Sequence, residues 1–269
     1  MPQNILDAIL ETKRKEVAEL RAGADAAGLA ARAQAAQRPR NFFSAVTRGP
    51  RRLMNLIAEV KRASPSAGVI RENFDPAAIA REYAAAGADA VSVLTDRTYF
   101  RGSLEHLRAV REAVDLPVLR KDFIIDPLQV YESREAGADA ILLIAAALPV
   151  GLLSDLMILS ADLKMTALVE VHGADELLKI RSMIGFPRGG YSVLGINNRD
   201  LSTFDVDVNT TVRLAEMAGE GVPIVSESGI RTRAEVEKLR SAGIKAVLIG
   251  ETLMRADDVS AEVRRLLGD

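Results

Sequence analysis

The 269-residue chain contains no cysteine and no tryptophan, and its only histidines are His106 and His172. The absence of cysteine excludes a disulfide scaffold, thiolate metal sites and cysteine nucleophiles. Two histidines are too few to build a histidine-rich metal site. Basic residues number 35 and acidic residues 37, and no basic stripe interleaves with aromatic side chains, so a nucleic-acid partner is not expected.

The chain also has no long apolar segment. Its longest apolar run, residues 140–153, is interrupted by Pro149 and Gly151 and falls short of the roughly 20 residues that a membrane span needs. The first residues lead into a charged helical pattern that has neither the apolar core nor the cleavage pattern of a signal peptide. We therefore expect no membrane association and a cytoplasmic location.

A short phrase recurs along the chain and divides it into similar units. Ala-Gly-Ala-Asp-Ala, followed by a β-branched residue, occurs at 86–91 and 136–141, and a looser copy occupies 242–247. In each copy a helix is predicted to end, glycine to form the left-handed cap, and a strand to begin. On this pattern we predict eight strands, each followed by a helix, near 54–61, 90–95, 117–121, 140–145, 165–170, 192–197, 222–227 and 245–249.

Strict alternation of apolar strands with helices indicates a parallel sheet, and eight such units favour a closed (β/α)8 TIM barrel over an open doubly wound sheet. We expect residues 51–269 to form this barrel as one catalytic domain. Residues 1–50 show a helical stripe but are too short for a core of their own. They are predicted to be an N-terminal helical extension packed on the barrel, either over its bottom or side or over the active-site mouth.

Charged residues end several strands that otherwise read as apolar. Such charges are costly at a strand that is buried on both faces unless they are paired, hydrogen-bonded or used. A single Lys–Glu pair at a strand end is often structural, but the working groups of these barrels lie at the C-terminal ends of the strands. A functional cluster is therefore predicted from the polar residues at these ends: Glu59, Lys61, Lys121, Glu170, Asn197, Arg199, Glu227 and Ser228.

A phosphate site is predicted after the last two strands. Gly229 and Gly250 each precede a predicted helix, where backbone N–H groups and the helix dipole favour an anion. Ser64, after the first strand, either adds a hydroxyl donor or belongs to an ordinary turn. Phe123 either lines an aromatic substrate or packs its loop, and His172 is expected in a surface loop.

Several of these strand ends resemble the indole-3-glycerol phosphate synthase family. Residues 57–66, Ile-Ala-Glu-Val-Lys-Arg-Ala-Ser-Pro-Ser, are similar to that family's first-strand signature. Residues 119–124, 168–172, 195–201 and 226–230 match its later strand ends in order, so the resemblance covers nearly the whole chain. Ala67, where relatives often have a basic residue, and Glu251, where some have serine, depart from the pattern at the loop and phosphate edges.

The resemblance implies ring closure of 1-(2-carboxyphenylamino)-1-deoxyribulose 5-phosphate to indole-3-glycerol phosphate, with loss of carbon dioxide and water, in tryptophan biosynthesis. It implies a small sugar-phosphate substrate, no metal and no organic cofactor, and we expect a monomer or a weak homo-oligomer. The implied catalytic residues are Glu59, Lys61, Lys121, Glu170, Asn197 and Glu227. The implied substrate- and phosphate-binding residues are Ser64, Phe123, Arg199, Ser228, Gly229 and Gly250.

Within this reaction each charged group receives an expected role. Lys121 is the acid that protonates the ketone, while Lys61 holds the substrate carboxylate and Glu59 orients Lys61. Glu170 is the base and acid of the later steps. Asn197 and Glu227 suit the sugar hydroxyls and the ring nitrogen. Two alternatives stay open: a sister barrel such as a phosphoribosyl isomerase, and a catalytically silent barrel that binds sugar phosphates.

Overall fold

Eight parallel strands close into a barrel in the computed structural model, which describes residues 4–23, 25–185, 189–200 and 203–269. Each strand pairs with the strands before and after it in the chain, and β1 pairs with β8 to close the ring. The closed parallel barrel confirms the predicted fold, and every strand lies within two residues of its predicted bounds. The strands are β1 (Asn55–Val60), β2 (Ala90–Leu94), β3 (Val118–Lys121), β4 (Ala140–Ile144), β5 (Thr166–Val171), β6 (Ser192–Asn197), β7 (Ile224–Glu227) and β8 (Ala246–Ile249).

Helices surround the barrel and connect its strands. Gly87, Gly137 and Gly243 have φ angles of 84°, 93° and 83°, which confirms the left-handed caps predicted from the recurring phrase. No described helix is both long enough and apolar enough to cross a membrane. The helices are α1 (Ile5–Gly23), α2 (Ala26–Ala35), α3 (Phe42–Thr47), α4 (Pro76–Ala85), α5 (Leu104–Ala113), α6 (Pro127–Glu135), α7 (Val150–Asp162), α8 (Ala174–Ile180), α9 (Asn209–Ala218), α10 (Arg233–Ser241), α11 (Glu251–Met254) and α12 (Val259–Leu267).

Alternation along each strand decides which side chains enter the barrel. In β1, Leu56, Ala58 and Val60 belong to the apolar cluster between strands and helices, whereas Ile57 belongs to the cluster inside the barrel. The next inward position of β1 is Glu59, because successive side chains point to opposite faces. The last inward position of each strand therefore opens at the C-terminal mouth.

The N-terminal extension contacts both ends of the barrel. At the N-terminal end, the fully buried Phe42 of α3 packs in the interior cluster with Ala90, Ala140 and Ala246, which are the first residues of β2, β4 and β8. Alanines at these positions leave room for the aromatic ring. At the opposite end, apolar residues of α1, including Ile9, line the cavity at the mouth. The extension thus closes the floor and contributes to the mouth.

A buried ion-pair cluster fixes α1 to the mouth. Lys13 Nζ lies 3.1 Å from Asp96 Oδ2 and 2.9 Å from Asp122 Oδ1, and all three side chains are at most 3% exposed. Asp96 follows β2 and Asp122 follows β3. Burial alone would raise the pKa of Asp122, but Arg120 and Lys13 outweigh it and hold that pKa well below its usual range. The helix is therefore attached beside Lys121, the last residue of β3.

Candidate active site

A cavity at the C-terminal end of the barrel contains every site residue predicted from the sequence. Its volume is about 1210 Å³ with the solvent at its opening included. The C-terminal strand ends converge on it because the barrel is parallel and closed, and the last inward residues of β1, β3, β5, β6 and β7 are polar. The predicted residues that line it are Glu59, Lys61, Ser64, Lys121, Phe123, Glu170, Asn197, Arg199, Glu227, Ser228, Gly229 and Gly250.

Lys121 is held between two buried carboxylates. Its Nζ lies 2.9 Å from Glu170 Oε2 and 3.0 Å from Glu227 Oε2. The glutamate side chains are 3% and 1% exposed, so water screens these contacts little. Because the three residues come from β3, β5 and β7, the contact exists only in the closed barrel.

The surroundings of Glu170 and Glu227 shift their pKa values in opposite directions. Burial alone would raise the pKa of Glu170, but Lys121 and His172 outweigh it and hold that pKa well below its usual range. Burial raises the pKa of Glu227; Lys121 opposes this rise and the charge on Glu170 adds to it. Two carboxyl groups whose pKa values diverge are suited to separate proton-transfer roles. Glu170 is the ionised partner, and Glu227 is the group that more readily carries a proton.

The ammonium of Lys121 stays charged. Burial alone would lower its pKa, but Glu170, Glu227 and Glu59 raise the pKa well above its ordinary value. In the unliganded cavity Lys121 is therefore a cation and a hydrogen-bond donor. It is not an ammonium that loses its proton easily before substrate arrives.

Glu59 of β1 and Lys61 form a second ion pair in the cavity. Lys61 Nζ lies 2.9 Å from Glu59 Oε1, which is consistent with residues two apart lying on the same face of an extended chain. Gly250 approaches this pair so closely that a Cβ there would lie 2.5 Å from Glu59 Oε1 and 3.1 Å from Lys61 Nζ. A glycine is therefore needed at 250 to avoid a steric clash with the Glu59–Lys61 pair, independently of any role in binding an anion.

A second glycine makes room for Glu227. A Cβ added to Gly195 of β6 would lie 2.4 Å from Glu227 Oε1 and 3.2 Å from Leu168 Cδ1. The carboxylate is the mobile end of a side chain, so it would shift away and its contact with Lys121 would lengthen. The position of Glu227 thus depends on the missing side chain at 195.

We expect Gly195→Ala to fold and to lose about 10²-fold in kcat, since misplacing a working group by about 1 Å has this order of effect. Steady-state kinetics with the substrate that the resemblance implies, together with thermal melting, measure both properties. Gly151→Ala is the matched control, because a Cβ at Gly151 meets nothing within 4 Å. Unchanged turnover in Gly195→Ala would contradict the dependence of activity on this carboxylate's position.

The two turns predicted to bind phosphate differ in structure. The helix after Gly229, α10, has its N-terminus satisfied by a capping box of Thr232 and Glu235, so that N-terminus is not open to an anion. Gly250, in contrast, is the N-cap of α11 and provides no side-chain cap. Gly229 has a φ of 79° and lies against Val206, where a Cβ would lie 2.2 Å from Val206 Cγ1. Its glycine is required by the turn itself.

A buried amide supports the end of β7. The Nδ2 of Asn198 donates to Ser226 Oγ at 3.0 Å, to the Glu227 carbonyl at 2.9 Å and to the Ser228 carbonyl at 3.0 Å. The preceding residue, Asn197, lines the cavity instead. The sequence predicted a role for Asn197 but not for Asn198. The two consecutive asparagines were the feature that could have indicated it.

One wall of the cavity is apolar, and sequence reasoning found only Phe123 on it. Phe123 lies 6.2 Å from Phe100, measured between ring centroids. This wall can accept an aromatic ring beside the charged network. Further apolar residues line the cavity from other strands and from α1: Ile5, Leu6, Ile9, Leu94, Leu142, Ile144, Phe204, Ile230, Leu248 and Ile249.

The expectation that His172 lies in a surface loop is wrong. Its side chain is 10% exposed, and its Nε2 lies 3.3 Å from Glu170 Oε1. Its Nδ1 lies 3.3 Å from Glu176 Oε2, in the first turn of α8. The alternation that places Glu170 inward gave no indication of this second contact, because Glu176 comes from the following helix.

Comparison with known proteins gives one consistent result. A family model described as indole-3-glycerol phosphate synthase matches residues 6–266. A protein of that name from Neisseria gonorrhoeae is 51% identical over 266 residues, which cover 98% of this chain and 99% of the relative. Its namesake from Geobacillus kaustophilus is 49% identical over 265 residues, covering 98% and 97%.

Solved structures support the fold. A crystal structure of 3-hexulose-6-phosphate synthase is similar with a TM-score of 0.61 and 17% identity, over 79% of this chain and 98% of that one. A chain of the tryptophan synthase α2β2 complex from Pyrococcus furiosus has a TM-score of 0.56 and 14% identity, over 80% and 98%. At these identities the likeness concerns the barrel alone.

Proposed function

The chain belongs to the indole-3-glycerol phosphate synthase family, and we propose that the polar groups at its barrel mouth catalyse this family's decarboxylative ring closure. The substrate is 1-(2-carboxyphenylamino)-1-deoxyribulose 5-phosphate, and the products are indole-3-glycerol phosphate, carbon dioxide and water. The observation that carries the proposal is the position of Lys121, a charged ammonium between two buried glutamates in a cavity with an apolar wall.

In the first step the aromatic carbon attacks the ketone carbon and Lys121 donates a proton to the ketone oxygen. An ammonium in direct contact with the developing alkoxide stabilises it before the proton moves. We assign the return of a proton to Lys121 to Glu227, because burial raises its pKa and its Oε2 lies 3.0 Å from Lys121 Nζ. The apolar wall beside Phe123 holds the aromatic ring, and the enclosed cavity keeps the two carbons together.

Loss of carbon dioxide then restores the aromatic ring, and loss of water completes the indole. Glu170 is the proposed base that removes a proton beside the ring nitrogen, and Lys121, reprotonated by Glu227, is the proposed acid that protonates the hydroxyl so that it leaves as water. Its pKa lies well below the usual range, so the carboxylate is ionised and able to accept a proton. Asn197 is assigned to the sugar hydroxyls.

Lys61 is assigned to the substrate carboxylate, which it holds until carbon dioxide departs, and Glu59 fixes Lys61 through the 2.9 Å ion pair. Arg199 and Ser228 are assigned with Ser64, Gly229 and Gly250 to the phosphate side of the cavity. We further propose that residues 1–50 and 51–269 act as one catalytic unit, since α1 lines the same cavity. The proposed unit is a cytoplasmic monomer or weak homo-oligomer.

The direct test is incubation of the pure protein with the anthranilate-derived ribulose phosphate. The chain contains no tryptophan, so indole fluorescence should rise from a low background. Carbon dioxide release should match indole formation in amount. Absence of both, with a folded protein, would contradict the proposal and favour a silent sugar-phosphate-binding barrel.

Lys61→Ala is expected to raise KM as well as lower kcat, because Lys61 grips the carboxylate before the reaction begins. A substrate analogue that lacks the carboxylate measures this directly: its binding should be nearly equal in Lys61→Ala and the unmodified protein. Lys164→Ala, a replacement outside the cavity, is the control. A purely kcat effect in Lys61→Ala would contradict the assignment.

Inorganic phosphate soaked into crystals is expected between Gly229 and Gly250. Gly250 opens α11 without a side-chain cap, and the cations of Lys61 and Arg231 line this part of the cavity. Difference density within hydrogen-bond reach of the two turns would agree with the assignment. Repeated density only at other positions would contradict it.

A further inference from the structure

His172 is a largely covered histidine, with its side chain 10% exposed, that the proposed reaction does not use. It follows β5 directly, and it is not among the described residues that line the cavity. Its two ring nitrogens each face a carboxylate, Glu170 Oε1 and Glu176 Oε2, both at 3.3 Å. The ring therefore connects a cavity glutamate with a glutamate at the edge of the barrel.

These contacts continue into a chain of alternating charge. Glu176, His172, Glu170, Lys121 and Glu227 follow one another, each within 3.3 Å of the next. Glu176 is the most exposed member, at 24%, whereas Glu170 and Glu227 are 3% and 1% exposed. A cation on each side of Glu170 leaves that carboxylate flanked by Lys121 and His172.

The structure also explains why the outer carboxylate stays in place. Glu176 is in the first turn of α8, and its Oε2 accepts a 2.9 Å hydrogen bond from the backbone N–H of His172. The helix start therefore fixes both Glu176 and the backbone of His172. An imidazole so placed can satisfy both carboxylates only when both of its nitrogens carry hydrogen.

We propose that His172 is a positioning residue that, as an imidazolium between Glu176 and Glu170, keeps Glu170 ionised and directed at Lys121. The inference rests on the proposed function, in which Glu170 is a base, but it can be tested separately. Among the described residues, the charged groups that face the imidazole are Glu170 from β5 and Glu176 from α8, with Lys121 beyond Glu170.

The charge state of His172 can be measured without any activity assay. Burial alone would lower the pKa of His172, but Glu170 and Glu176 raise it to about 10. Burial and the nearby Arg62 lower the pKa of His106 from its usual range. Since these are the only two histidines, ¹⁵N-labelled histidine should give two ring signals that titrate on opposite sides of 6.5, and His106→Gln assigns them. Loss of the His172 proton at or below pH 6.5 would overturn the inference.

Kinetics test the effect on Glu170. In His172→Gln the carboxylate loses one of its two cations, so the acid limb of the kcat/KM profile should move up by roughly one to three pH units, the usual influence of a neighbouring opposite charge. A variant that merely packs badly would lose activity equally at every pH. Such a uniform loss, or an unchanged profile, would count against the proposal.

Glu176→Gln keeps the test available if His172→Gln does not fold. Its amide oxygen can still accept from the His172 N–H, but the carboxylate charge is gone. We expect the ¹⁵N titration of His172 to move toward neutral pH and the acid limb to move up by less than in His172→Gln. Asp175→Asn is the matched control, since it removes a charge from the same helix turn and should leave both unchanged. Equal effects of the two variants would overturn the inference, and an inactive unmodified protein would instead refute the proposed function.

Discussion

Replacement of Lys121 by alanine is expected to lower kcat by roughly 10²–10⁴-fold, which is the usual contribution of a positioned proton donor. The ammonium is the cation that contacts both Glu170 and Glu227, at 2.9 and 3.0 Å. Without it, two buried carboxyl groups lack their shared partner, and one of them takes up a proton. The site then loses its donor and also changes the charge of its base.

Lys121→Ala should remain folded, because the side chain faces the mouth and not a packed layer of the core. Circular dichroism and thermal melting check this, and single-turnover kinetics separate chemistry from product release. Lys179→Ala, an exposed lysine on α8, provides the control for loss of a lysine charge. Near-normal turnover in a folded Lys121→Ala protein would return this lysine to a structural ion-pair role.

Replacement of Lys13 by methionine is expected to reduce the free energy of unfolding by about 3–5 kcal/mol, the typical cost of leaving a buried charge without its partner. Lys13 lies 3.1 Å from Asp96 and 2.9 Å from Asp122, in a region that excludes water. Asp122 retains Arg120 at 3.1 Å, so Asp96 bears most of the loss. Urea-induced unfolding followed by circular dichroism measures the change.

A second substitution tests this explanation. Asp96→Asn keeps the Oδ1 that accepts from the N–H groups of Tyr99 and Phe100, but removes the charge. The Lys13→Met/Asp96→Asn protein should therefore be more stable than Lys13→Met alone. Lys15→Met, whose lysine is 72% exposed, should change stability by no more than about 0.5 kcal/mol. Equal stability of the Lys13→Met and Lys15→Met proteins would refute the anchoring role of Lys13.

The barrel could be predicted because its rules are local. Apolar runs of four to six residues, helix stripes and glycine caps recur in order, and Gly87, Gly137 and Gly243 show the predicted positive φ angles. The converging strand ends were predictable for the same reason, since a parallel barrel gathers the C-terminal ends of its strands at one mouth. The alternation of side chains along a strand was enough to predict that Glu59, Lys121 and Glu170 point into the barrel.

The features that escaped prediction depend on contacts between distant segments. The helical stripe of α1 has the same period whichever surface it covers, so the sequence left its place on the barrel open. Lys13 reads as one more charge in a charged helix, and only its contact with Asp122 shows that it is buried. The position of His172 was predicted wrongly because its contact with Glu176 depends on how α8 packs beside the end of β5.

The N-cap of α10 shows that a glycine before a helix does not by itself predict an anion site. Gly229 precedes a helix, as the phosphate prediction required, but Thr232 and Glu235 already satisfy that helix start. The competing requirement was recognisable as a Thr-x-x-Glu sequence at 232–235. This sequence distinguishes the capped helix start after Gly229 from the uncapped helix start at Gly250.

Phe42 at the barrel floor has a consequence for the order in which the products depart. With this ring buried among the first residues of the strands, the described cavity lies at the other end of the barrel, where Ile9 lines it. We therefore expect the substrate to enter, and the products to leave, through this mouth of the barrel. Carbon dioxide is small and uncharged, so it can dissociate while the sugar phosphate is still bound. The indole product, the largest fragment and the one that carries the phosphate charge, is then the last to go.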